Sequence, residues 1–248
     1  SNNRNLINPA ITQATISTSV NVIESLRQMN CMSRKPHSTV NIIIDTNCSL
    51  RKNKLRMRTI ISCIMVTVMK ELGISFNLYV FCGRYKGVYV SMEDRSTREI
   101  ISFLFDMEEV VKMPSTPLDL LTVKGHFKNT DPVVIISDGF SEQLMSQDDE
   151  VRNVFGVYSK LFLLCVKGKD EEALNPTNQS LLENALKVNF HDNMIVIEKK
   201  VDIVNLTNQR WLDVFYDSDI AKSNEAMNTF YSQNYALDLY DNLKVEFK

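Results

Sequence analysis

Five short side chains that carry oxygen atoms have the chemistry of ligands for hard metal ions. They occur in three separate segments: Asp45, Asn47 and Ser49 in IIIDTNCS, Thr116 in PSTPL, and Asp138 in VVIISDG. Carboxylate, amide and hydroxyl oxygens suit Mg²⁺ or Ca²⁺, and the set contains no His, no thiolate and no nucleophile paired with a base. The pattern predicts binding through a divalent cation rather than catalysis.

Each of these segments lies just past an apolar run or in a turn-prone loop, which is where an open α/β sheet gathers a ligand site. Taken singly each motif is ambiguous, because Asp and Ser also cap helices and begin turns. Asp45 alone, and likewise Asp138 in SDG, could therefore serve as a turn or cap residue as readily as a metal ligand. The combination of three loops, one of them stiffened by the proline after Thr116, favours one shared pocket.

The first half of the chain predicts the elements that position Asp45. Val40–Ile44 is a β-branched run interrupted only by Asn41, which is typical of a central strand buried on both faces. Residues 54–72 contain no Gly or Pro and repeat apolar side chains at helical spacing, so we expect a deeply buried helix that Gly73 ends. Two apolar runs joined by CGRYKG then predict a hairpin, which adds an antiparallel strand to the sheet.

The rest of the chain continues the alternation of helix and strand. We expect, in order, a helix to Phe105 that begins with a capping box of Ser96 and Glu99, a strand at VVIIS, a helical stretch at 148–154, a strand at KLFLLCV, a helix at 177–187 and a strand at NMIVIE. This alternation predicts an α/β, Rossmann-like three-layer αβα fold with a mostly parallel central sheet and one antiparallel edge strand.

Three parts of the chain are expected. Residues 1–37 form a helical lead-in, 38–205 form the main domain, and 206–248 form a helical tail that packs on the same domain. The tail has aromatic residues spaced for docking helices, namely Trp211, Phe215, Phe230 and Tyr231. No linker-like change of composition marks a second domain.

Composition and charge argue against several classes of partner. The 248 residues carry 28 basic and 30 acidic side chains, and the formal net charge of −2 gives no global attraction to nucleic acid or to an anionic membrane. No apolar stretch reaches the roughly 20 residues of a membrane-spanning helix, and the start SNNRNLINPA lacks the apolar core of a signal peptide. We expect a soluble protein that binds neither a membrane nor nucleic acid directly.

The cysteines and histidines argue against a disulfide framework and against a zinc site. The cysteines are odd in number and lack CxxC spacing, and the histidines are far apart. These residues are Cys31, Cys48, Cys63, Cys82, Cys165, His37, His126 and His191. Free thiols in a reducing, intracellular compartment fit best.

The order of DTNCS, STPL and ISDG resembles the metal-ion-dependent adhesion site of the von Willebrand factor A (VWA) domains. That family's signature is Asp-x-Ser-x-Ser after the first strand, a Thr in a second loop and an Asp-Gly after a later strand. The likeness spans about residues 38–200 and implies the VWA fold. It implies that the cation, Mg²⁺ or else Ca²⁺ or Mn²⁺, keeps one coordination position for an Asp or Glu of a partner protein. The implied ligands in this chain are Asp45, Asn47, Ser49, Thr116 and Asp138.

One residue departs from that signature. Asn47 stands where the family has its first serine. Its amide oxygen can ligate a hard cation, but the side chain is bulkier than a hydroxyl and alters the loop. Metal occupancy therefore depends on Asn47.

Residues beside the proposed pocket are candidate contacts with an acidic partner. The run RKNKLRMR contains Arg51, Lys52, Lys54, Arg56 and Arg58. One interpretation is an electropositive collar that attracts the partner, and the other is a solvated helix start. We expect the partner to contact Arg51, Lys52, Ser115 and Phe140.

A narrower resemblance is to the carboxy-terminal VWA domain of the midasin family of AAA ATPases. It depends on a helix and the basic stretch MSRKPHS before NIIID, and on VVIISDGFSE. It implies a substrate-binding domain in assembly of the large ribosomal subunit, within a larger ATPase chain or complex and in the nucleus or nucleolus. Outside that family the expected compartment is the cytoplasm. The chain has no GxxxxGK[ST] motif of its own.

Two alternatives stay open at the level of the sequence. IIIDTN also resembles the start of PIN-type ribonucleases, in which Asp45, Glu71 and Asp138 would bind Mg²⁺ for phosphodiester hydrolysis. Such sites need three or four carboxylates, whereas the hairpin and STPL belong to the VWA pattern. The other alternative is a VWA scaffold whose metal site is vestigial.

Overall fold

Helices and strands alternate along the chain and place the predicted acids at strand ends. The computed structural model describes residues 9–30, 33–45, 52–82, 85–91, 95–110, 130–139, 141–146, 148–150, 153, 160–167, 176–198 and 210–218. Its helices are α1 (Pro9–Met29), α2 (Lys52–Glu71), α3 (Thr97–Val110), α4 (Glu142–Met145), α5 (Pro176–Phe190) and α6 (Arg210–Phe215). Its strands are β1 (Thr39–Asp45), β2 (Ser75–Cys82), β3 (Tyr85–Ser91), β4 (Val133–Ser137), β5 (Leu161–Val166) and β6 (Met194–Ile197). No helix within these ranges is both long and apolar enough to cross a membrane.

The strands form one sheet in the order β3-β2-β1-β4-β5-β6. β1, β2, β4, β5 and β6 are parallel to one another, and β3 pairs antiparallel with β2. The chain first adds strands on one side of β1 and then on the other, so its winding reverses between β1 and β4. The result is an α/β architecture with a parallel sheet, as the alternation predicts, and it is consistent with a Rossmann-like three-layer fold.

β1 separates two hydrophobic cores, because successive side chains of a strand point to opposite faces of the sheet. Ile42 and Ile44 belong to the core shared with α1, α2, α3 and α6, whereas Ile43 belongs to the core shared with α4 and α5. Every β1 residue after Thr39 is buried, which confirms a central strand. Most of α2 is buried as well, as predicted.

Two local signals end or begin helices as predicted. The Ser96 hydroxyl accepts a hydrogen bond from the Glu99 N–H at 3.2 Å, and Glu99 Oε2 accepts one from the Ser96 N–H at 3.0 Å. This is a reciprocal capping box. After α2, Gly73 has a φ of 74°, and the N–H of Ile74 donates to the carbonyl of Met69 at 2.8 Å. Such a C-terminal cap needs a left-handed residue, and glycine adopts that backbone without strain.

Two helices extend beyond their predicted ends. α3 continues past Phe105 to Val110, and α5 covers Pro176–Phe190 rather than 177–187. In α5 the apolar spacing continues from Leu186 to Phe190, and both side chains are buried in the same core. Tertiary packing thus lengthens helices past the point where the local signal weakens. The stretch predicted at 148–154 lies only partly within the described residues.

Two of the cysteines are buried thiols outside any disulfide. Cys63 and Cys165 have no exposed surface, and neither forms a disulfide, as the sequence predicts. Burial raises the pKa of the Cys63 thiol, so that it stays protonated and unreactive. The side chains of the other three cysteines lie outside the described part of the chain.

The basic stretch before β1 holds α6 in place. Arg34 donates to the backbone oxygens of Tyr216 and Asp217 at 2.9 and 2.8 Å and forms an ion pair with Asp213 at 2.8 Å. α6 also buries Trp211 in the first core. These contacts join the segment before β1 to a helix that lies about 180 residues later in the sequence. The aromatic residues predicted further along the tail, Phe230 and Tyr231, lie outside the described residues.

His37 completes this contact. Its Nε2 lies 2.8 Å from the carbonyl oxygen of Asp213, and its backbone N–H donates to the carbonyl of Phe215 at 3.0 Å. Burial lowers the pKa of His37, and the charges of Lys160 and Arg34 lower it further against the opposing hydrogen bond to Asp213. The fold therefore favours the neutral imidazole.

We predict that acidification destabilises the protein through His37. Because the folded pKa lies below the ordinary value of 6.5, the unfolded chain binds the proton first, and the free energy of unfolding falls as the pH drops below 6.5. His37→Gln keeps a donor for the Asp213 carbonyl and removes this part of the pH dependence. Urea unfolding of both proteins between about pH 8 and about pH 5 measures the difference. Equal losses of stability in the two proteins would contradict the assignment.

Candidate functional site

Asp45 and Asp138 lie at adjacent strand ends on the carboxyl edge of the parallel sheet. Asp45 is the last residue of β1, and Asp138 directly follows β4. The register pairs Ile44 with Ile136, so Ser137 comes opposite Asp45 and Asp138 comes next. The winding of the sheet reverses at this point, and in open α/β sheets the loops diverge there and leave a crevice. Two of the five predicted ligands thus come together.

A chain of hydrogen bonds joins the two strand ends. The Ser137 hydroxyl donates to Asp45 Oδ2 at 2.6 Å and accepts from the Gly139 N–H at 3.1 Å. Asp45 and Ser137 have no exposed surface, and Asp138 is 2% exposed. A short bond to a charged acceptor is stronger in such surroundings than in water. The Asp45 carboxylate is therefore held in one orientation.

The turn that carries Asp138 is fixed by close packing. The Cys165 thiol of β5 lies 3.6 Å from the Asp138 carbonyl oxygen and donates a weak hydrogen bond to it. Gly139 has a φ of 86°, and a Cβ at this position would lie 2.7 Å from Leu186 Cδ1 of α5. Both the left-handed backbone and the close approach require glycine. SDG is therefore a strand-ending turn, as its sequence suggests, and it also places an acid beside Asp45.

A buried arginine lies next to Asp45. Arg58, in the second turn of α2, is 1% exposed. Its Nη1 lies 3.4 Å from the Asp45 carbonyl oxygen, and its Nη2 lies 3.2 Å from the Thr59 hydroxyl. Burial of a guanidinium is costly unless acceptors and negative charge are near. The Asp45 carbonyl oxygen and the Thr59 hydroxyl are acceptors within reach of this guanidinium.

The interpretation as a solvated helix start is wrong for Arg58, because this side chain is buried. It precedes Ile61 by three positions and Met65 by seven, so it lies on the helix face that packs against the sheet. This spacing is the signal that identifies its burial. Arg56 forms an ion pair with Glu108 of α3 at 2.8 Å, so its charge is already balanced.

The predicted ligand set also omits Ser137. The alternation in VVIIS puts Ser137 on the same face as Val133 and Ile135, which indicates burial. It does not identify the partner, because Asp45 precedes Ser137 by 92 residues and the pairing depends on the register of two strands.

The other predicted contacts lie outside the part of the chain that the structure describes. Among them are the ligands Asn47, Ser49 and Thr116 and the partner contacts Arg51, Ser115 and Phe140. Lys52 begins α2, but its side chain is outside the described atoms as well. These assignments stay predictions.

Glu71, the third acid of the ribonuclease alternative, lies at the opposite edge of the sheet. It ends α2, and the next strand begins at Ser75 in register with Thr39, the first residue of β1. Because β1 has 7 residues, Asp45 lies about 20 Å further along the strands. The assignment of Glu71 to one acid cluster with Asp45 is therefore wrong.

Asp45 and Asp138 have the chemistry to hold a hard divalent cation. Carboxylates are its preferred ligands, and two buried negative groups on neighbouring strand ends are stabilised by positive charge near both. Within the described ranges no three or more His, Cys, Asp or Glu side chains form a metal-binding group. A site of two acids and neutral oxygens, such as the VWA signature has, would form no such group.

Comparison with known proteins identifies no family. No family model matches the chain, and no curated protein matches it. Function is therefore inferred from the fold and from the residues at the carboxyl edge.

We predict that Gly139→Ala costs more stability than Gly73→Ala. Both positions have positive φ, so each substitution brings left-handed strain of about 1–2 kcal/mol. Only at Gly139 does the added Cβ meet another atom, Leu186 Cδ1, whereas the space around Gly73 is open. We expect a further loss of about 1–3 kcal/mol at Gly139, measured by urea unfolding.

Gly73→Ala is the matched control for backbone strain. Leu186→Ala in the Gly139→Ala background should remove the clash and make the combined cost smaller than the sum of the two single costs. Equal losses for the two glycine variants would show that α5 does not constrain the Asp138 turn.

Proposed function

We propose that this chain is a non-catalytic protein-binding domain of the VWA type, in which a divalent cation joins Asp45 and Asp138 to an acidic residue of a partner protein. Asn47, Ser49 and Thr116 complete the proposed ligand set. One observation carries the proposal. Two carboxylates from distant segments are buried at adjacent strand ends, where the winding of the sheet reverses.

Burial is the first support, because simpler roles for these acids do not require it. A turn or a helix cap does not need a buried carboxylate. The helix after Asp138 is α4, and its N-cap is Ser141, so Asp138 is not that cap. Buried carboxylates are costly unless paired or bound to a metal, and a hard cation with oxygen ligands meets this need at the edge where such sheets bind ligands.

The environment of Ser137 supports binding rather than catalysis. Its 2.6 Å hydrogen bond to Asp45 has the distance of a nucleophile and base pair. However, both side chains have no exposed surface, and the hydroxyl also accepts from the Gly139 N–H. A substrate would have no access to this oxygen. The bond instead fixes a carboxylate, which is what a preformed ligand site requires.

The likeness to the midasin family extends the proposal to one class of partner, an assembly factor of the large ribosomal subunit. In that case the mechanical force would come from an ATPase ring elsewhere, and this domain would only hold the substrate. In the basic stretch that carries the likeness, Arg34 and His37 fix α6. The proposed role of this stretch is therefore structural, and the binding of the partner is assigned to the carboxyl edge of the sheet.

Thermal unfolding with Mg²⁺ or Mn²⁺ tests the proposed site. A cation that binds only the folded chain raises its stability, by about 2.7 kcal/mol at about one hundred times Kd. We expect Asp45→Asn and Asp138→Asn to abolish the rise, because each removes a ligand charge. Asp192→Asn is the control, since it makes the same change on a side chain that is 86% exposed, and it should keep the rise.

Two results would contradict this proposal. If neither cation stabilises the unsubstituted protein at millimolar concentration, the metal-free scaffold is favoured. Mg²⁺-dependent cleavage of RNA that Asp45→Asn abolishes would instead support hydrolysis.

A further inference from the structure

Arg58 is both fully buried and in contact with the residue that ends β1. Its guanidinium lies 3.4 Å from the Asp45 carbonyl oxygen, while the Ser137 hydroxyl holds Oδ2 of the same Asp45. The two contacts fix a positive charge and a carboxylate relative to each other. A guanidinium stays protonated at any pH at which proteins fold, so this charge is permanent.

The charges of Asp45, Asp138 and Arg58 determine what this edge binds favourably. The ligands of a cation are ionised, and two ionised carboxylates and one guanidinium together carry one negative charge. A divalent cation reverses the sign and leaves one positive charge. A single carboxylate from a partner then makes the assembly neutral, which is the most favourable state in surroundings of low dielectric constant.

We propose that Arg58 is the residue that makes the cation-loaded site selective for an anionic group of the partner, an inference that rests on the proposed function. Without Arg58 the two acids would neutralise a divalent cation by themselves, and a further carboxylate would leave net negative charge. With Arg58, binding of the cation alone is weaker and binding of a carboxylate to the loaded site is stronger. Arg58 thus couples the two steps.

Arg56 shows what distinguishes Arg58 from an arginine with a structural role. It lies two residues earlier on the same helix, but its side chain is 43% exposed. It forms an ion pair with Glu108 at 2.8 Å and lies 5.3 Å from the centre of the Phe105 ring. Its charge is thus balanced by Glu108 of α3. Removal of Arg56 changes the charge of α2 but not that of the site.

The test compares three variants with the unsubstituted protein. Arg58→Gln removes the charge and keeps a donor for the Asp45 carbonyl, Arg58→Lys keeps the charge, and Arg56→Gln is the matched control. Mn²⁺ affinity is measured by water proton relaxation. The loaded proteins are then titrated with a capped tripeptide that has glutamate between two glycines, and with its glutamine counterpart as blank. Circular dichroism in EDTA shows whether each variant is folded.

Arg58→Gln should change the two steps in opposite directions. We expect it to bind Mn²⁺ about tenfold more tightly and the glutamate tripeptide about tenfold more weakly, because one charge enters the two steps with opposite sign. Arg58→Lys and Arg56→Gln should keep both affinities within about threefold of the unsubstituted protein. A merely structural role cannot produce this opposite response.

If Arg58→Gln does not fold, Arg58→Met provides the same comparison, because it removes the charge and keeps an unbranched side chain in the buried space. Unchanged affinities of Arg58→Met in both steps would overturn the inference.

Equal changes in both affinities of Arg58→Gln, or no change, would also overturn it. The proposed function would still stand in that case if the unsubstituted protein binds Mn²⁺ and Asp45→Asn does not. If neither the unsubstituted protein nor Arg58→Gln binds Mn²⁺, the proposed function fails as well.

Discussion

The carboxylates of Asp45 and Asp138 are buried at the ends of neighbouring strands. The residues around them are arranged so that this burial is maintained. The Ser137 hydroxyl holds the Asp45 carboxylate at 2.6 Å, and Arg58 brings a positive charge from α2. The turn after Asp138 is fixed because Gly139 packs against α5. Desolvated charge and left-handed backbone each reduce stability by themselves, and they persist only where the fold determines them strongly.

The middle of the sheet supplies that stability. β1 and β4 are buried along nearly their whole length, and their apolar side chains enter cores on both faces of the sheet. At the opposite edge, Arg34 and His37 tie α6 to the start of β1. The two buried acids thus lie at the carboxyl ends of the central strands, which the two cores hold from both faces. A preformed binding site requires such support from regular elements.

Signals that act over a few residues predict much of this fold. Gly73 and the box of Ser96 and Glu99 end or begin helices as their sequence indicates. The position of Asp45 and Asp138 at one edge of the sheet follows from the alternation of strands and helices, because parallel strands all end at the same edge. The burial of Arg58 can be predicted from its helical spacing to Ile61 and Met65. The neighbouring basic residues instead suggest an exposed segment. The partner of Ser137 depends on the register between strands far apart in sequence, which no local pattern contains.

The proposed function requires that Asp45 and Asp138 hold one cation between them. Anomalous diffraction from crystals grown with Mn²⁺ locates such an ion without reference to activity. We expect one strong peak at the carboxyl ends of β1 and β4. It should lie within about 2.5 Å of a carboxylate oxygen of Asp45 or Asp138 and be bridged to the other carboxylate directly or through water. Peaks only at exposed acids, with none at this edge, would contradict it.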